Sequence, residues 1–197
     1  YATNGTTLGI KGGRTVHEYW PKFKSVAVNV SIDGLHDTYE YIRGNGKFSE
    51  VEYNIKEMKK IPTVSRIVGA FTVQANNILQ IDKVIDYFLN EMQIVFYSHR
   101  VNYPRALSAQ VLPEELKQAV VVKLEAMKSK VKDYEMIKKY PVLEKITLQQ
   151  IQDNINFLQA RDLHNHWNDC VDFNRKLDAT RKQGPFEKIN PEFANYV

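Results

Sequence analysis

Residues 24–34 read Lys24-Ser25-Val26-Ala27-Val28-Asn29-Val30-Ser31-Ile32-Asp33-Gly34. Valine or isoleucine occupies every second position from residue 26 to residue 32, and a glycine at position 34 then interrupts the pattern. Alternation with a period of two, together with an excess of β-branched side chains, predicts a β-strand over residues 24–32. Asp33 and Gly34 therefore follow directly after a strand.

Helices and strands alternate beyond this point. Apolar residues recur three and four apart over residues 48–61, which predicts a helix that ends before Pro62. A β-branched segment predicts a second strand over residues 64–75, and a helical stripe over residues 81–92 precedes a third strand that begins at residue 94 and extends as far as residue 101. Such alternation predicts parallel strands joined by right-handed crossovers, with the chemistry at the carboxyl ends of the strands.

The last third of the chain has a helical pattern. A helix is predicted over residues 116–131, and a second is predicted to begin at Thr147, where the sequence has capping-box spacing. A third is predicted over residues 167–182, before Gly184 and Pro185. We divide the chain into residues 1–112, an α/β part, and residues 113–197, a helical extension within the same domain.

Composition limits the classes of function. The chain has 197 residues, 43% of them hydrophobic, and contains no apolar run near the ~18 residues that a membrane span requires, so we expect no membrane partner. The single cysteine excludes a disulfide framework and agrees with a reducing cytoplasm. The chain begins with Tyr1 and has no signal-peptide pattern, so we expect a sequence that is truncated at its front.

The net charge of +4 arises from interspersed charges, with one lysine-rich stretch over residues 123–145. Acidic residues alternate with the lysines of this stretch, which favours a solvated helical face over a nucleic-acid surface.

Three short motifs flank the first strand. In chain order they are Thr3-Asn4-Gly5, Ser31-Ile32-Asp33-Gly34 and Tyr41-Ile42-Arg43-Gly44. Their order and spacing resemble the third and fourth strands of the partial barrel of radical S-adenosylmethionine (SAM) enzymes. Further segments resemble the fifth strand with its loop and the exit of the sixth strand, namely Phe71-Thr72-Val73, Asn76-Asn77-Ile78 and residues 102–108.

The resemblance covers about residues 1–116, and the remaining helices are similar to those of twitch-domain-containing radical SAM proteins. It implies a partial parallel (β/α) barrel, truncated at its front and followed by a helical extension. An unrelated α/β domain is the alternative interpretation of the same motifs.

The resemblance also implies cofactors and partners. Radical SAM enzymes use a [4Fe-4S] cluster, held by three cysteines, to cleave SAM reductively and abstract hydrogen from a substrate. For this chain the substrate is unknown, a peptide or another small molecule, and the reductant is a protein such as flavodoxin or ferredoxin.

By position, Ser31 is expected to hydrogen-bond the ribose or carboxylate of SAM, and Arg43 to pair with that carboxylate through a bidentate guanidinium. Thr3 and Asn4 are expected on the rim beside SAM.

Three further residues belong to the predicted site, with alternatives. Asn76 and Asn102 are candidates to contact the adenosine or the substrate. Asp33 is placed to face the sulfonium of SAM, although Asp-Gly after a strand is also ordinary turn chemistry, which we favour. Without the resemblance, Arg43 fits an exposed surface arginine before a turn.

Important parts of the family pattern are missing from this sequence. Neither the three-cysteine loop nor the glycine-rich segment that holds the amino group of SAM is found in it. We therefore expect this chain alone to bind SAM weakly or not at all and to assemble no cluster. A partial barrel that begins only at its third strand also leaves one sheet edge unpaired, and an exposed edge favours aggregation.

Other kinds of site were considered. His164, His166 and Cys170 are close in sequence, but if residues 161–182 form one helix only His166 and Cys170 share a face, so we expect no metal site. No nucleophile elbow or phosphate-binding glycine loop occurs, which argues against hydrolases and dinucleotide-binding proteins.

Two hypotheses from different classes remain. The chain is the carboxyl-terminal part of a radical SAM enzyme, active as the full-length protein. Alternatively, it is a cluster-free α/β scaffold that binds a nucleoside-like ligand or a protein partner. The presence of a three-cysteine loop upstream would distinguish them.

Overall fold

The computed structural model describes residues 1–10, 12–44 and 46–197. Among these residues there are two sheets. Their strands, in chain order, are β1 (Ala2–Thr3), β2 (Gly9–Ile10), β3 (Arg14–Thr15), β4 (Val26–Ser31), β5 (Val64–Val73) and β6 (Val95–Arg100). Strands β2 and β3 form a small antiparallel hairpin, and the other four form the main sheet.

The main sheet has the strand order β1-β4-β5-β6, and all of its neighbouring strands are parallel. Asn29 lies opposite Val68, and Val68 lies opposite Val95, so the rows of paired residues run across the three long strands. The predicted α/β fold with a parallel sheet is confirmed.

Helices connect and follow these strands. They are α1 (Val16–Tyr19), α2 (His36–Arg43), α3 (Phe48–Lys59), α4 (Ile81–Asp86), α5 (Glu114–Lys128), α6 (Glu135–Lys139), α7 (Val142–Ala160) and α8 (Trp167–Arg181). Helix α4 continues into a π-helix over Tyr87–Glu91. None of the described helices has both the length and the apolar character that a membrane span needs.

One face of the main sheet, the covered face, is buried in the core. Val28 and Val30 of β4 and Phe96 of β6 are fully buried on it. Gly69 of β5 belongs to the same face, and a methyl group added there would lie 2.3 Å from the ring of Phe88. Phe96 and Gly69 lie against Phe88 of the π-helix, and burial of all these residues fixes which side of the sheet faces the core.

The helical extension packs on the edge of the sheet that β6 forms. The side-chain oxygen of Gln150, on α7, accepts hydrogen bonds from the backbone N–H of Ser98 at 2.8 Å and from its hydroxyl at 2.9 Å. Asn154 donates to the same hydroxyl. Side chains of α7 thus replace a strand partner at this edge, which reduces its tendency to pair with another chain.

Two helices differ from the expectation. Helix α7 begins at Val142, five residues before the predicted start, and Thr147 is buried inside it instead of capping it. The residues before Thr147 continue the apolar stripe at Leu143, which packs against the core, so tertiary burial extends the helix past the local capping signal. Helix α2 was not predicted, because its eight residues are fewer than the stretch of about 11 or more over which a helical period is recognised in a sequence.

Candidate functional site

The face of the main sheet opposite the core, the open face, is accessible to solvent. Side chains alternate between the two faces along each strand. Burial follows this alternation in β4, where Ala27 and Asn29 are exposed and Ser31 is half-buried. The open face is formed by Ala27, Asn29, Ser31, Arg66, Val68, Ala70, Thr72, Val95, Tyr97 and His99, of which only Val68 is buried.

The carboxyl-terminal half of the open face is polar with a small central residue. Ser31, Ala70 and Tyr97 form one row across the three strands, and Thr72 lies opposite His99 in the next row. The rings of Tyr97 and His99 meet edge to face, with their centroids 4.7 Å apart. The hydroxyl of Ser31 and the ring of Tyr97 therefore lie on either side of the small residue Ala70. Two strand spacings, about 10 Å, separate Ser31 from Tyr97.

Asp33 and Arg43 form an ion pair at the end of β4. The Oδ2 atom of Asp33 lies 2.6 Å from Nη2 of Arg43, and its Oδ1 atom accepts a hydrogen bond from the backbone N–H of Thr72 at 2.9 Å. The carboxylate thus continues the β4–β5 hydrogen-bond ladder one step beyond the end of β4. Arg43 is 30% exposed at its side chain, so it is neither fully buried nor free on the surface.

The Thr3-Asn4-Gly5 motif forms a tight turn at the end of β1. The hydroxyl of Thr3 accepts a hydrogen bond from the N–H of Gly5, and the side-chain oxygen of Asn4 accepts one from the N–H of Thr6. Gly5 has a φ of +75°, and a Cβ there would lie 2.7 Å from Val30, so this position requires glycine. Asn54 of α3 holds the turn through a 2.7 Å hydrogen bond to the carbonyl of Gly5.

Asn76 is buried beneath the carboxyl-terminal helices. Its amide donates to Oδ1 of Asn174 in α8 at 2.7 Å, and its backbone carbonyl accepts from the side chain of Asn190. Only 3% of its surface is accessible. Asn76 therefore connects the loop after β5 to the helical extension. Its side chain is almost inaccessible to solvent.

Asn77, the next residue, joins the ends of β4 and β5. Its side-chain amide donates to the carbonyls of Asp33 and Thr72, each at 2.9 Å, and its oxygen accepts from the N–H of Gln74. The residue is fully buried. Because every polar atom of this side chain has a backbone partner, Asn77 fixes the geometry of the loop that bears Asp33.

A polar network connects α2 to α8. The hydroxyl of Tyr41 lies 2.8 Å from Oδ1 of Asp178 and 3.2 Å from Oδ1 of Asn174. Burial raises the pKa of Tyr41, and the neighbouring Asp178 raises it further. Arg181 donates to the carbonyl of Tyr41 at 3.0 Å, so the carboxyl end of α2, including the position of Arg43, is held by α8.

The predicted site residues divide into groups in the structure. Asp33 and Arg43 are in direct contact, and Ser31 is the last residue of β4, two positions before Asp33. Thr3 and Asn4 are at the end of the neighbouring strand β1, each engaged in its own turn. Asn102 is exposed just beyond β6, and Asn76 is buried.

Tyr97 and His99 were not among the predicted site residues. The alternation along residues 95–100 places them together on one face, but it does not show which face solvent reaches. Asn174 was also missed, because it lies 98 residues from its partner Asn76. No local pattern could have indicated that contact.

The described residues do not fit an iron–sulfur cluster. Cys170, the single cysteine of the sequence, is buried, and burial raises the pKa of its thiol to about 12. His166 contacts Asp169 at 2.8 Å instead of sharing a ligand set with Cys170. Within the described ranges there is no group of three or more His, Cys, Asp or Glu residues that could hold a metal ion.

Comparison of the sequence with models of protein families gave no match, and neither did searches of curated proteins and of solved structures.

Proposed function

We propose that this chain is the carboxyl-terminal part of a radical SAM enzyme and that its open face binds the nucleoside part of SAM. The observation that supports this most is the row Ser31–Ala70–Tyr97 on a parallel sheet, close to the carboxyl ends of its strands. In parallel α/β sheets, ligands bind characteristically at that end. The four-strand parallel order also agrees with the motif order that suggested the family.

The chemistry of this row suits a nucleoside. The hydroxyl of Ser31 is half-buried and makes no hydrogen bond to another described side chain, so it is available to a ribose hydroxyl. Tyr97 is 41% exposed and offers a ring on which a base can stack. Ala70 between them leaves room for the sugar, since it carries only a methyl group.

Arg43 is the residue expected to bind the carboxylate of SAM. Its guanidinium already contacts Asp33, so a carboxylate of the ligand would share Arg43 with Asp33 or displace it. An arginine can serve two acceptors because it has five N–H donors. The cluster, in contrast, finds no ligand set among the described residues, and its three cysteines would have to come from a segment preceding this chain.

The remaining assignments belong to the same proposal. The full-length protein would cleave SAM and abstract hydrogen from a peptide or other small substrate, with flavodoxin or ferredoxin as the electron donor. A protein with a reduced cluster requires a reducing compartment, so we place it in the cytoplasm. By itself, this chain would be inactive.

A second candidate function rests on the same open face. Without a cysteine loop in the native protein, the face would serve as a cluster-free scaffold for a nucleoside-like ligand. Because the two candidates share the binding face, a binding measurement alone does not distinguish them. The coding sequence upstream of Tyr1 is also needed.

The test has two parts. The first is the reading frame upstream of Tyr1 in the native gene, where a three-cysteine loop is expected. The second is titration of the ¹⁵N-labelled chain with adenosine, followed by amide chemical shifts. We expect shifts at Ser31, Ala70 and Tyr97, which Ser31→Ala and Tyr97→Ala diminish. SAM itself should bind more weakly than micromolar to this chain.

Matched controls are available on α3. Ser49→Ala and Tyr53→Ala change the same residue types at exposed positions away from the open face and should leave the titration unaltered. Adenosine shifts on the face without an upstream cysteine loop would favour the scaffold. A titration with no shifts on the open face would refute nucleoside binding by either candidate.

A further inference from the structure

A second concave region lies at the opposite end of the sheet from the row of Ser31. It is a cavity of about 500 Å³ at the amino-terminal ends of β5 and β6, closed on one side by α6 and the first turns of α7. This volume falls within the range of small-molecule sites. Arg66 lies on its wall, four residues before Ala70 in β5, which corresponds to about 13 Å along an extended strand.

Much of the cavity wall is apolar. Ile67 and Met136 are buried beneath it, and Val95 is half-buried. Ile146, from α7, is 45% exposed although it is a large aliphatic side chain. An aliphatic ligand would remove this surface from water, which is favourable in proportion to the area covered.

The charged residues of the wall all have the same sign. Lys59, at the end of α3, Arg66 and Lys139, in α6, line the cavity, and none of its described lining residues is Asp or Glu. None of these three cations forms an ion pair within the described part of the chain, whereas several other lysines do. They originate from three different elements that converge on one opening.

The surroundings of Lys59 show that this positive charge is not compensated. Its ammonium donates a hydrogen bond to the backbone carbonyl of Met92, a neutral acceptor. Partial burial lowers the pKa of Lys59, and the charges of Lys139 and Lys56 lower it further. An anion placed between Lys59 and Lys139 would relieve this repulsion.

We propose that this cavity binds an aliphatic carboxylate, with its head group among Lys59, Arg66 and Lys139 and its chain against Ile67, Val95 and Ile146. Charge complementarity selects an anion, and the apolar wall selects one with a hydrocarbon chain. The site is separate from the nucleoside row and does not depend on the proposed function.

The probe is octanoate, added to the ¹⁵N-labelled chain and followed by amide chemical shifts. We expect saturable shifts around residues 64–67 and 142–146, with a dissociation constant on the order of 1 mM. Acetate lacks the chain and octylamine has the opposite charge, so neither should give these shifts at the same concentration. Equal shifts with octylamine would refute recognition of the carboxylate.

Variants test the two parts of the site separately. Each of Lys59→Gln, Arg66→Gln and Lys139→Gln should weaken octanoate binding by about two- to fivefold. Lys132→Gln, at an exposed position outside the cavity, should not change it. Because all four positions are exposed, the variants are expected to fold.

The apolar part is tested by Ile146→Glu, which introduces a negative charge at the rim and should abolish binding. Its matched control is Val122→Glu, because Val122 is also an exposed aliphatic residue on a helix, at 67% accessibility. Octanoate binding that survives both Ile146→Glu and the three cation variants would overturn the proposal. Adenosine shifts at Ser31, Ala70 and Tyr97 should be the same in Lys59→Gln, Lys139→Gln and Ile146→Glu, none of which changes a residue of the open face.

Discussion

The carboxylate of Asp33 lies 2.6 Å from the guanidinium of Arg43 and also accepts the N–H of Thr72 at 2.9 Å. One side chain therefore joins the end of β4, the next strand β5 and the last residue of α2. The pair thus ties the carboxyl end of α2 to the ends of β4 and β5.

Removing the charge of Asp33 tests this arrangement. Asp33→Asn keeps an oxygen that can accept from Thr72 but deprives Arg43 of its counter-ion. We expect a loss of about 1–3 kcal/mol in the free energy of unfolding, less than for a fully buried pair because Arg43 is partly exposed. Urea denaturation measures it.

Asp172→Asn is the control, because Asp172 is exposed on α8 and makes no described ion pair. It should have almost no effect. If both variants were equally stable, the pair would have no structural importance.

Gly69 tests the contact between the sheet and the π-helix. In Gly69→Ala the added methyl would lie 2.3 Å and 2.6 Å from ring atoms of Phe88 and 3.0 Å from Ile94. The core has to shift, and we expect a destabilisation of about 1–3 kcal/mol, measured by thermal or urea unfolding. Gly184→Ala should be nearly neutral, since its nearest neighbour is Lys188 at 3.5 Å. A neutral Gly69→Ala would mean that Phe88 packs elsewhere.

Cys170 should be unreactive in the native protein. Burial raises the pKa of its thiol to about 12, although the hydrogen bond from Asn174 opposes this shift, so the thiol is almost entirely protonated at pH 8. An aromatic disulfide reagent should therefore modify it slowly in buffer and rapidly in urea.

The comparison is the variant Ser49→Cys, which adds a thiol at an exposed position of α3. It should show one fast and one slow thiol. Two fast thiols in buffer would show that α8 opens readily.

Lys117 is expected to make stability depend on pH. Its side chain is only 4% exposed, and its ammonium lies 2.9 Å from Glu114 and 3.0 Å from Asp162. Burial opposes its charge, but hydrogen bonds to the two carboxylates raise its pKa overall. The hydrogen bond from Lys117 lowers the pKa of Asp162 below its ordinary 3.8.

A carboxyl whose pKa is lower in the folded state stabilises the fold above its unfolded pKa, and this contribution is lost as the pH falls through the folded value. As the pH falls below 3.8 and through the lowered folded pKa of Asp162, Lys117 is progressively left buried and charged without that partner. Lys117→Met should therefore resemble the unmodified protein at pH 7 and exceed its stability at pH 3, as urea unfolding at both pH values would show. With Lys132→Met as the control, a difference that is independent of pH would contradict this.

The sequence alone determined the order of the three long strands β4, β5 and β6 and of the helices α3 and α4 between them. The alternation of valines predicted a strand over residues 24–32, and the helical stripe predicted a helix over residues 48–61. Both are local patterns, and β4 (Val26–Ser31) and α3 (Phe48–Lys59) lie within the predicted ranges. From them followed the parallel sheet and the expectation that the chemistry lies at the carboxyl ends of its strands. Ser31, Asp33 and Arg43 could be selected because they come directly after, or shortly after, the first long strand.

Only the tertiary structure decided what those side chains contact. Asp33 is paired with Arg43, Asn76 is buried against Asn174, and Gln150 occupies the edge of β6. The physical reason is that periodicity reports the face on which a residue lies, whereas a polar contact depends on which distant segment packs there. Partners 10, 98 and 52 residues apart are brought together by core packing, and a single sequence contains no local signal for that proximity.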